Sequence, residues 1–235
     1  MNLIPKTNKM NKLILFLFLL MNVSTTQAQK EERTQQVPKF TQVKAFDGIS
    51  VKLIRSDKNE VIIKGENTKK VAVVNNESVL KIRMQIDKIF SGYKTFVEVY
   101  YTEDLTLIDV NEDARITSDK TITQDRLELR AQEGGELIIN ATVTQLLVKS
   151  VSGGVISTKG KSKNQDVTIN TGGIYEGKDF ATELTTINVN AGSRAEIFAS
   201  DYVKATVKAG GEVLVYGDPA KMDEKTVFGG KVTRM

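Results

Sequence analysis

Histidine, cysteine and tryptophan are absent from this sequence of 235 residues, and each absence removes a class of function. Without cysteine the chain has no disulfide, no thiolate nucleophile, no thiolate zinc site and no residue for a lipoprotein anchor. Without histidine it lacks the most common general base and metal ligand, which excludes Ser-His-Asp, Cys-His and His-based zinc sites. The sequence therefore predicts no catalytic residues, no metal site and no cofactor.

The N-terminal residues have the layout of an export signal. Three lysines precede an apolar run at residues 13–21, and small residues at Thr26 and Ala28 suit cleavage after Ala28. A rival interpretation is a membrane anchor, but nine apolar residues are too few to cross roughly 30 Å of hydrocarbon as a helix. We predict a signal peptide over 1–28, a flexible leader over 29–39, no membrane span after cleavage, and an exported protein in the periplasm, at the outer surface or secreted.

Charge gives no indication of a nucleic-acid partner. The net charge is +4, and residues 1–28 hold three lysines and no acid, so the remainder of the chain is nearly neutral. No basic patch with interleaved aromatic residues occurs, and we expect no nucleic-acid binding.

Short alternating segments separated by turn formers predict β-strands throughout the rest of the chain. Residues 40–104 read as a less regular N-terminal β portion, with a loop over 85–94. Residues 105–235 read as a repetitive portion, because glycines recur at a nearly constant interval. The first glycines of the repeats stand at positions 134, 153, 172, 192, 210 and 229. The predicted turn glycines are Gly134, Gly135, Gly153, Gly154, Gly172, Gly173, Gly192, Gly210, Gly211, Gly229 and Gly230.

Apolar and polar residues keep opposite parity in every repeat. Five residues before the first glycine stand Leu129, Val148, Val167 and Ile187, and the next position holds polar residues. Since side chains alternate across a strand, each repeat has an inward face and a wet face.

Two architectures fit this pattern: a parallel β-helix, in which each repeat is one coil, and an antiparallel meander, in which each glycine pair closes a hairpin. In both, the pair supplies positive φ. We favour an all-β, right-handed parallel β-helix (solenoid) with coils of about 19 residues, because stacked coils require like residues in register. A weaker copy at residues 107–114 stands slightly farther from the next repeat, so its register is uncertain.

Two groups of side chains are candidates for function. The carboxylates Asp104, Asp109, Glu112, Asp113 and Glu133, with Arg115, could serve a polysaccharide lyase or glycosidase, although a solvated acidic turn is the commoner explanation of such a group. The second group is a polar ladder, which is also what any exposed sheet displays. It comprises Arg130, Lys149, Thr168, Asn188, Thr206, Asn170 and Asn190.

The chain resembles the family described as putative auto-transporter adhesin, head GIN domain, found in exported proteins of Bacteroidetes-type bacteria. The resemblance lies in residues 46–51 (FDGISV), the strand at 96–101, the glycine-pair coils, and residues 215–219 (VYGDP) and 229–232 (GGKV). It covers about residues 40–235 and implies a right-handed β-helix with an irregular N-terminal portion. It implies no catalytic residues. Gly192-Ser193 departs from the paired-glycine pattern.

We therefore expect a non-catalytic binding or adhesion module of the cell envelope that contacts a glycan or a cell-envelope protein through the polar ladder. Repetition without a singular site favours this function, because catalysis needs one preorganised place. The alternatives are a carbohydrate-active enzyme that uses Asp109 and Asp113, and a self-associating structural protein that forms homo-oligomers through exposed strand edges.

Overall fold

The computed structural model describes residues 32–235, and the predicted signal peptide lies outside them. The described residues form one sheet of seventeen strands and two short 3-10 helices, Thr68–Lys70 and Ile86–Lys88. The strands are β1 (Glu32–Gln36), β2 (Gln42–Ala45), β3 (Ser50–Arg55), β4 (Glu60–Gly65), β5 (Val71–Asn76), β6 (Val79–Met84), β7 (Thr95–Tyr101), β8 (Leu107–Val110), β9 (Arg115–Ser118), β10 (Ile122–Ala131), β11 (Glu136–Ser150), β12 (Val155–Ile169), β13 (Ile174–Val189), β14 (Arg194–Lys208), β15 (Glu212–Tyr216), β16 (Lys221–Val227) and β17 (Lys231–Arg234).

The repetitive portion is a parallel β-solenoid. Each of β10 to β13 pairs in parallel with the next strand, and β14 pairs with both β15 and β16. Leu129, Val148, Val167 and Ile187 are consecutive register partners, and all four are buried. These aliphatic columns form the dry core of the stacked coils. The prediction of stacked coils is confirmed, and an antiparallel meander does not describe this portion.

The tight turns of successive coils stack in a single row. Each turn has two consecutive residues at positive φ, as in Ser152 (φ 49°) and Gly153 (φ 75°), and the amide of Gly154 donates to the carbonyl of Val151 at 3.0 Å. This geometry is that of a type I′ turn. Within residues 32–235 the row has eight such turns, and their second positions are Gly48, Asp113, Gly134, Gly153, Gly172, Gly192, Gly210 and Gly229. The weak copy at Asp113 is therefore in register with the others.

The two glycines of each pair have different physical roles. The first is at positive φ, and a Cβ added at Gly153, Gly172 or Gly210 would meet no atom within 4 Å. The second is absent from the residues with positive φ, and a Cβ added at Gly173 would lie 2.7 Å from the carbonyl oxygen of Ser150 in the preceding coil. The pair thus supplies positive φ through its first glycine alone, and the second glycine is required by the close approach of two backbones.

Residues 40–104 build the irregular end of the same stack. β2 and β3 flank the first turn. β2 pairs in parallel with β6 on one side and β8 on the other. β3 pairs in parallel with β7 on one side and β9 on the other. β4 and β5 are antiparallel additions, with β4 paired to β7 and β5 paired to β6. The segment between β3 and β8 is an insertion that interrupts the repeat, which is why the period is not visible there.

The expected flexible leader over 29–39 is wrong at residues 32–36. These residues form β1, which pairs antiparallel with β4 from Glu32 opposite Lys64 to Gln36 opposite Glu60. Without β1, the edge of β4 would expose a row of unpaired backbone donors and acceptors. A polar segment can pair with these groups through its own backbone, and it needs no apolar side chains to do so. Polarity alone therefore did not distinguish this edge strand from a leader.

The coil formed by β16 and β17 departs from the aliphatic pattern. Met222, Glu224 and Thr226 are register partners of Val203, Ala205 and Val207, which belong to the buried core. Glu224 and Thr226 are exposed. At this end of the described chain, a carboxylate thus takes a place that an aliphatic side chain holds in the coils above.

One buried polar chain crosses the interior. The hydroxyl of Tyr175, fully buried, lies 2.8 Å from Thr158 Oγ1 and accepts a hydrogen bond from Gln165 Nε2 at 2.5 Å. Thr185 and Thr182 extend the chain, with 2.7 Å between their hydroxyl oxygens. Burial raises the pKa of Tyr175 well above its ordinary value, so the phenol stays neutral. These polar groups can lie in the core because each of them has a hydrogen-bond partner.

Candidate functional site

The structure places the main polar ladder in one straight row. Arg130, Lys149, Thr168, Asn188 and Thr206 are consecutive register partners on β10 to β14. Their neighbours in sequence on both sides point into the core, so these five side chains point outward. Asn170 and Asn190 stand two residues beyond Thr168 and Asn188, on the same side of the coil. We call these seven residues the polar face.

Charged side chains at one end of the polar face are engaged with each other. Glu128 Oε1 lies 2.7 Å from Arg130 Nη2 and 3.1 Å from Lys149 Nζ. Burial tends to raise the pKa of Glu128, but hydrogen bonds from Arg130 and Lys149 outweigh burial and hold the pKa below its ordinary value. The two cations are therefore already committed to an internal carboxylate.

The uncharged side chains of the polar face are different. Within residues 32–235, the side chains of Thr168, Asn188, Thr206, Asn170 and Asn190 make no hydrogen bond to another protein group. Asn188 and Asn190 are exposed and the other three are half-buried. A hydroxyl both donates and accepts, and an amide has two donors and an acceptor, so the row offers closely spaced hydrogen-bonding groups to a ligand.

The acidic candidates do not converge on one point. Asp104 pairs with Arg55 at 3.0 Å, and Arg115 pairs with Glu136 at 3.3 Å. Asp109 is buried and bound by Lys44 Nζ at 3.0 Å, while Asn111 Nδ2 donates to its second oxygen at 3.2 Å.

The remaining acids stand on the row of turns. Asp113 accepts a hydrogen bond of 3.0 Å from the hydroxyl of Tyr93, and the exposed Glu133 contributes its backbone carbonyl to the amide of Asp113. Burial, followed by the negative charge of Asp47, raises the pKa of Glu112. Asp47, the turn residue stacked beside Glu112, was not singled out from the sequence. No sequence signal joins these two acids, because the whole insertion separates them along the chain.

A shallow cleft lies on another face, beside the N-terminal insertion. It has a volume of about 350 Å³ and is lined by residues of β3, β4, β7 and β9, with Phe96 at 53% exposure as its aromatic wall. The cations at its margin are paired, since Lys64 contacts Glu98 at 3.0 Å and Lys52 contacts Asp119 at 2.5 Å.

Residues 32–235 contain no group of three or more acidic side chains arranged to hold a metal ion. In the same residues, neither 3-10 helix has the length or apolar character required to cross a lipid bilayer.

Comparison with known proteins agrees with the architecture. A crystal structure of a putative adhesin from Bacteroides fragilis superposes with a TM-score of 0.80 at 16% identity, covering 87% of this chain and 96% of that one. A putative adhesin from Parabacteroides distasonis gives 0.73 at 19% identity, covering 87% and 96%. A putative lipid binding protein from the same species gives 0.68 at 14% identity, covering 89% and 98%. At these identities the likeness shows the fold alone.

No curated protein matches this chain in sequence. A family model does, over residues 39–219, which is more than half of the chain. The matched region begins just before β2 and ends after β15, so it contains the irregular end and the stacked coils but not β16 and β17, which the expected extent of about residues 40–235 included. The chain belongs to the family described as putative auto-transporter adhesin, head GIN domain.

Proposed function

We propose that this protein is an exported, non-catalytic adhesion module that binds a glycan or a protein of the cell envelope through its polar face. Membership of an auto-transporter adhesin family implies an exported protein with an adhesin-like role. The observation that carries the finer proposal is the row of outward side chains, Thr168, Asn188 and Thr206 with Asn170 and Asn190, that have no protein partner within residues 32–235.

Repetition determines what such a face can bind. Coils repeat at about 4.8 Å, so the row presents similar groups at similar intervals, and an extended ligand can meet several of them at once. Each hydrogen bond contributes about 1 kcal/mol, and a ligand that makes several gains useful affinity by addition. The non-catalytic assignment is supported by Asp104 and Asp109, because Arg55 holds the first and Lys44 with Asn111 holds the second, apart from the acids on the row of turns.

The test compares matched variants on an immobilised glycan array and in pull-down from envelope extracts. Asn188→Ala with Asn190→Ala removes two exposed amides and should weaken binding about thirtyfold, at about 1 kcal/mol for each lost contact. Asn140→Ala removes an exposed amide elsewhere on β11 and should leave binding unchanged. Equal effects of both variants, or no binding by the wild-type protein at high concentration, would contradict the proposal.

An assay for turnover of polysaccharides distinguishes a carbohydrate-active enzyme from an adhesin. Acidic polysaccharides are incubated with the protein, with and without calcium, and reducing ends or unsaturated products are measured. We expect no turnover. Turnover that disappears in both Asp109→Asn and Asp113→Asn would establish catalysis and overturn the proposal.

A further inference from the structure

A gap in one row of outward side chains forms the shallow cleft beside the N-terminal insertion. Ser50 on β3 is the register partner of Phe96 on β7 and of Arg115 on β9, so these three residues stand in line across the sheet. Neighbouring strands are about 4.8 Å apart, so the small side chain of Ser50 lies between two large ones whose Cα atoms are about 10 Å apart. Longer side chains in the next outward row, Glu98 and Lys52, close one side of the gap. The cleft therefore has room for a small, ring-shaped ligand.

Phe96 presents an aromatic ring to this cleft. Its neighbours along β7, Thr95 and Val97, are buried, whereas Phe96 is about half exposed. A Cβ added at Gly65 would lie 3.2 Å from Cδ2 of Phe96, so one edge of the ring rests against the backbone of Gly65. This backbone supports the ring from one side and leaves aromatic surface open to a ligand. A ligand with an apolar face gains by covering that surface.

The charges around the cleft leave no excess of positive charge. Each cation that lines it is paired with a carboxylate: Lys64 with Glu98, Lys52 with Asp119, and Arg115 with Glu136. Glu32, which is opposite Lys64 in register, adds a fourth acid to these three pairs. A phosphate, a sulfate or an acidic sugar would therefore meet carboxylates as well as cations. An uncharged ligand suits this electrostatic environment better than an anion.

Hydrogen-bonding groups of both kinds remain unused in the cleft. Arg115 pairs with Glu136 through Nε, and its two Nη nitrogens make no hydrogen bond to a group in residues 32–235. Within the same residues, the half-buried hydroxyl of Ser50 has no hydrogen-bond partner. Both hydrogen bonds that Glu98 accepts from protein side chains go to Oε2, which leaves Oε1 as an open acceptor. A ligand in the cleft thus meets donors and acceptors beside an aromatic ring.

We propose that the cleft binds one ring of a neutral sugar. One face of a hexose carries C–H groups with a small positive charge, and this face packs on the negative π surface of Phe96. Two adjacent sugar oxygens accept hydrogen bonds from the Nη nitrogens of Arg115, whose planar fork matches such a pair. A further sugar hydroxyl donates to Oε1 of Glu98. The cleft lies on other strands than the polar face, so this site does not depend on binding there.

Saturation-transfer NMR with the purified protein tests the proposal, and the probes are the methyl glycosides of glucose, galactose and mannose. We expect transfer to the ring C–H protons of at least one glycoside, strongest on one face of the sugar. Phe96→Ala should weaken binding about tenfold, because it removes the aromatic surface. Arg115→Lys keeps the positive charge beside Glu136 but loses the fork, and should weaken binding about fivefold. Phe228→Ala is the matched control, because Phe228 is an exposed aromatic residue on the last turn of the row.

Weaker binding in both cleft variants, with unchanged binding in Phe228→Ala and unchanged thermal unfolding of all three, would support the proposal. Absence of transfer to every glycoside would overturn it, as would equal losses in Phe96→Ala and Phe228→Ala. Binding that disappears in Asn188→Ala with Asn190→Ala, and persists in Phe96→Ala, would assign the sugar to the polar face instead.

Two further probes distinguish a sugar from other occupants of the cleft. Tighter binding of glucuronate than of methyl glucoside would show that the cleft selects an anion. Binding of N-acetylphenylalanine amide, with no binding of any glycoside, would show that it takes an aromatic side chain of a protein. Either result would refute a neutral-sugar site.

Discussion

The different roles of the paired glycines lead to a quantitative prediction at Gly172 and Gly173. Gly172→Ala keeps φ at +70° and adds a Cβ with no atom within 4 Å, so it costs only the left-handed strain, about 1 kcal/mol. Gly173→Ala is at an ordinary φ, but its Cβ would lie 2.7 Å from both the carbonyl oxygen and the hydroxyl of Ser150.

The cost of Gly173→Ala follows from how little the neighbouring coil can move. Ordinary contact begins near 3.4 Å, so Ser150 would have to move by about 0.7 Å. Ser150 is fully buried, and its hydroxyl donates to the carbonyl of Gly154 at 2.5 Å, so that movement disturbs two coils. Overpacking of this kind costs about 3 kcal/mol. Gly173→Ala should therefore be about 2 kcal/mol more destabilising than Gly172→Ala.

Urea unfolding followed by far-ultraviolet circular dichroism measures both variants against the wild-type protein. Under a model in which both glycines serve positive φ, the two substitutions would cost the same. Equal losses of unfolding free energy, or a larger loss for Gly172→Ala, would refute the assignment of the second glycine to close backbone approach. In other turns Ala114 and Ser193 stand at the place of the second glycine of the pair, which shows that this place tolerates a Cβ where the coils leave room.

Three further predictions concern buried or paired side chains. Tyr175→Phe should cost about 2 kcal/mol of unfolding free energy, because it leaves the buried Gln165 amide without its acceptor. Ser193→Ala should stabilise the protein by about 1 kcal/mol, because the buried hydroxyl of Ser193 has no hydrogen-bond partner within residues 32–235. Glu128 has a lowered pKa in the folded state, so its ionised form contributes stability above the unfolded pKa that is lost as pH falls through the folded pKa. The difference in unfolding free energy between wild type and Glu128→Gln should therefore shrink below about pH 4.

Urea unfolding at pH 7 tests the first two, and the same titration repeated between pH 7 and 3 tests the third. A neutral Tyr175→Phe would show that Gln165 finds another acceptor. A destabilising Ser193→Ala would show that the hydroxyl has a partner. A pH-independent difference for Glu128→Gln would show that Arg130 and Lys149 do not stabilise its ionised form.

Where residues repeat, the sequence was sufficient to predict the fold. Strand parity and the regular interval between glycine pairs placed Leu129, Val148 and Val167 in one column, since stacking demands like residues in register. The first coil could not be located in this way, because the insertion between β3 and β8 separates Gly48 from Asp113. The pairing of β1 could not be predicted from the sequence either, because an edge strand is held by backbone hydrogen bonds and does not require alternating apolar residues.

The candidate site was predictable only in part. Parity alone showed which side chains of the polar face point outward. It could not show that Glu128 forms ion pairs with Arg130 and Lys149. Nor could it show that Asn188 and Asn190 have no partner among the described residues. Such contacts depend on side chains from neighbouring coils. Residues 85–94 were expected to be a loop, but the hydrogen bonds that Asp47 accepts from the amides of Met84 and Phe90 could not be predicted, because no sequence pattern joins these positions.

Glu224 makes the coil of β16 and β17 a poor surface for a second molecule. A copy that added its own coil beneath β16 would confine this carboxylate, without a countercharge, against the aliphatic side chains around Ala205. The loss of hydration of an unpaired buried charge costs several kcal/mol, more than a backbone ladder of that size returns. Any further coil that stacks against β16 must therefore bring a positive charge close to Glu224.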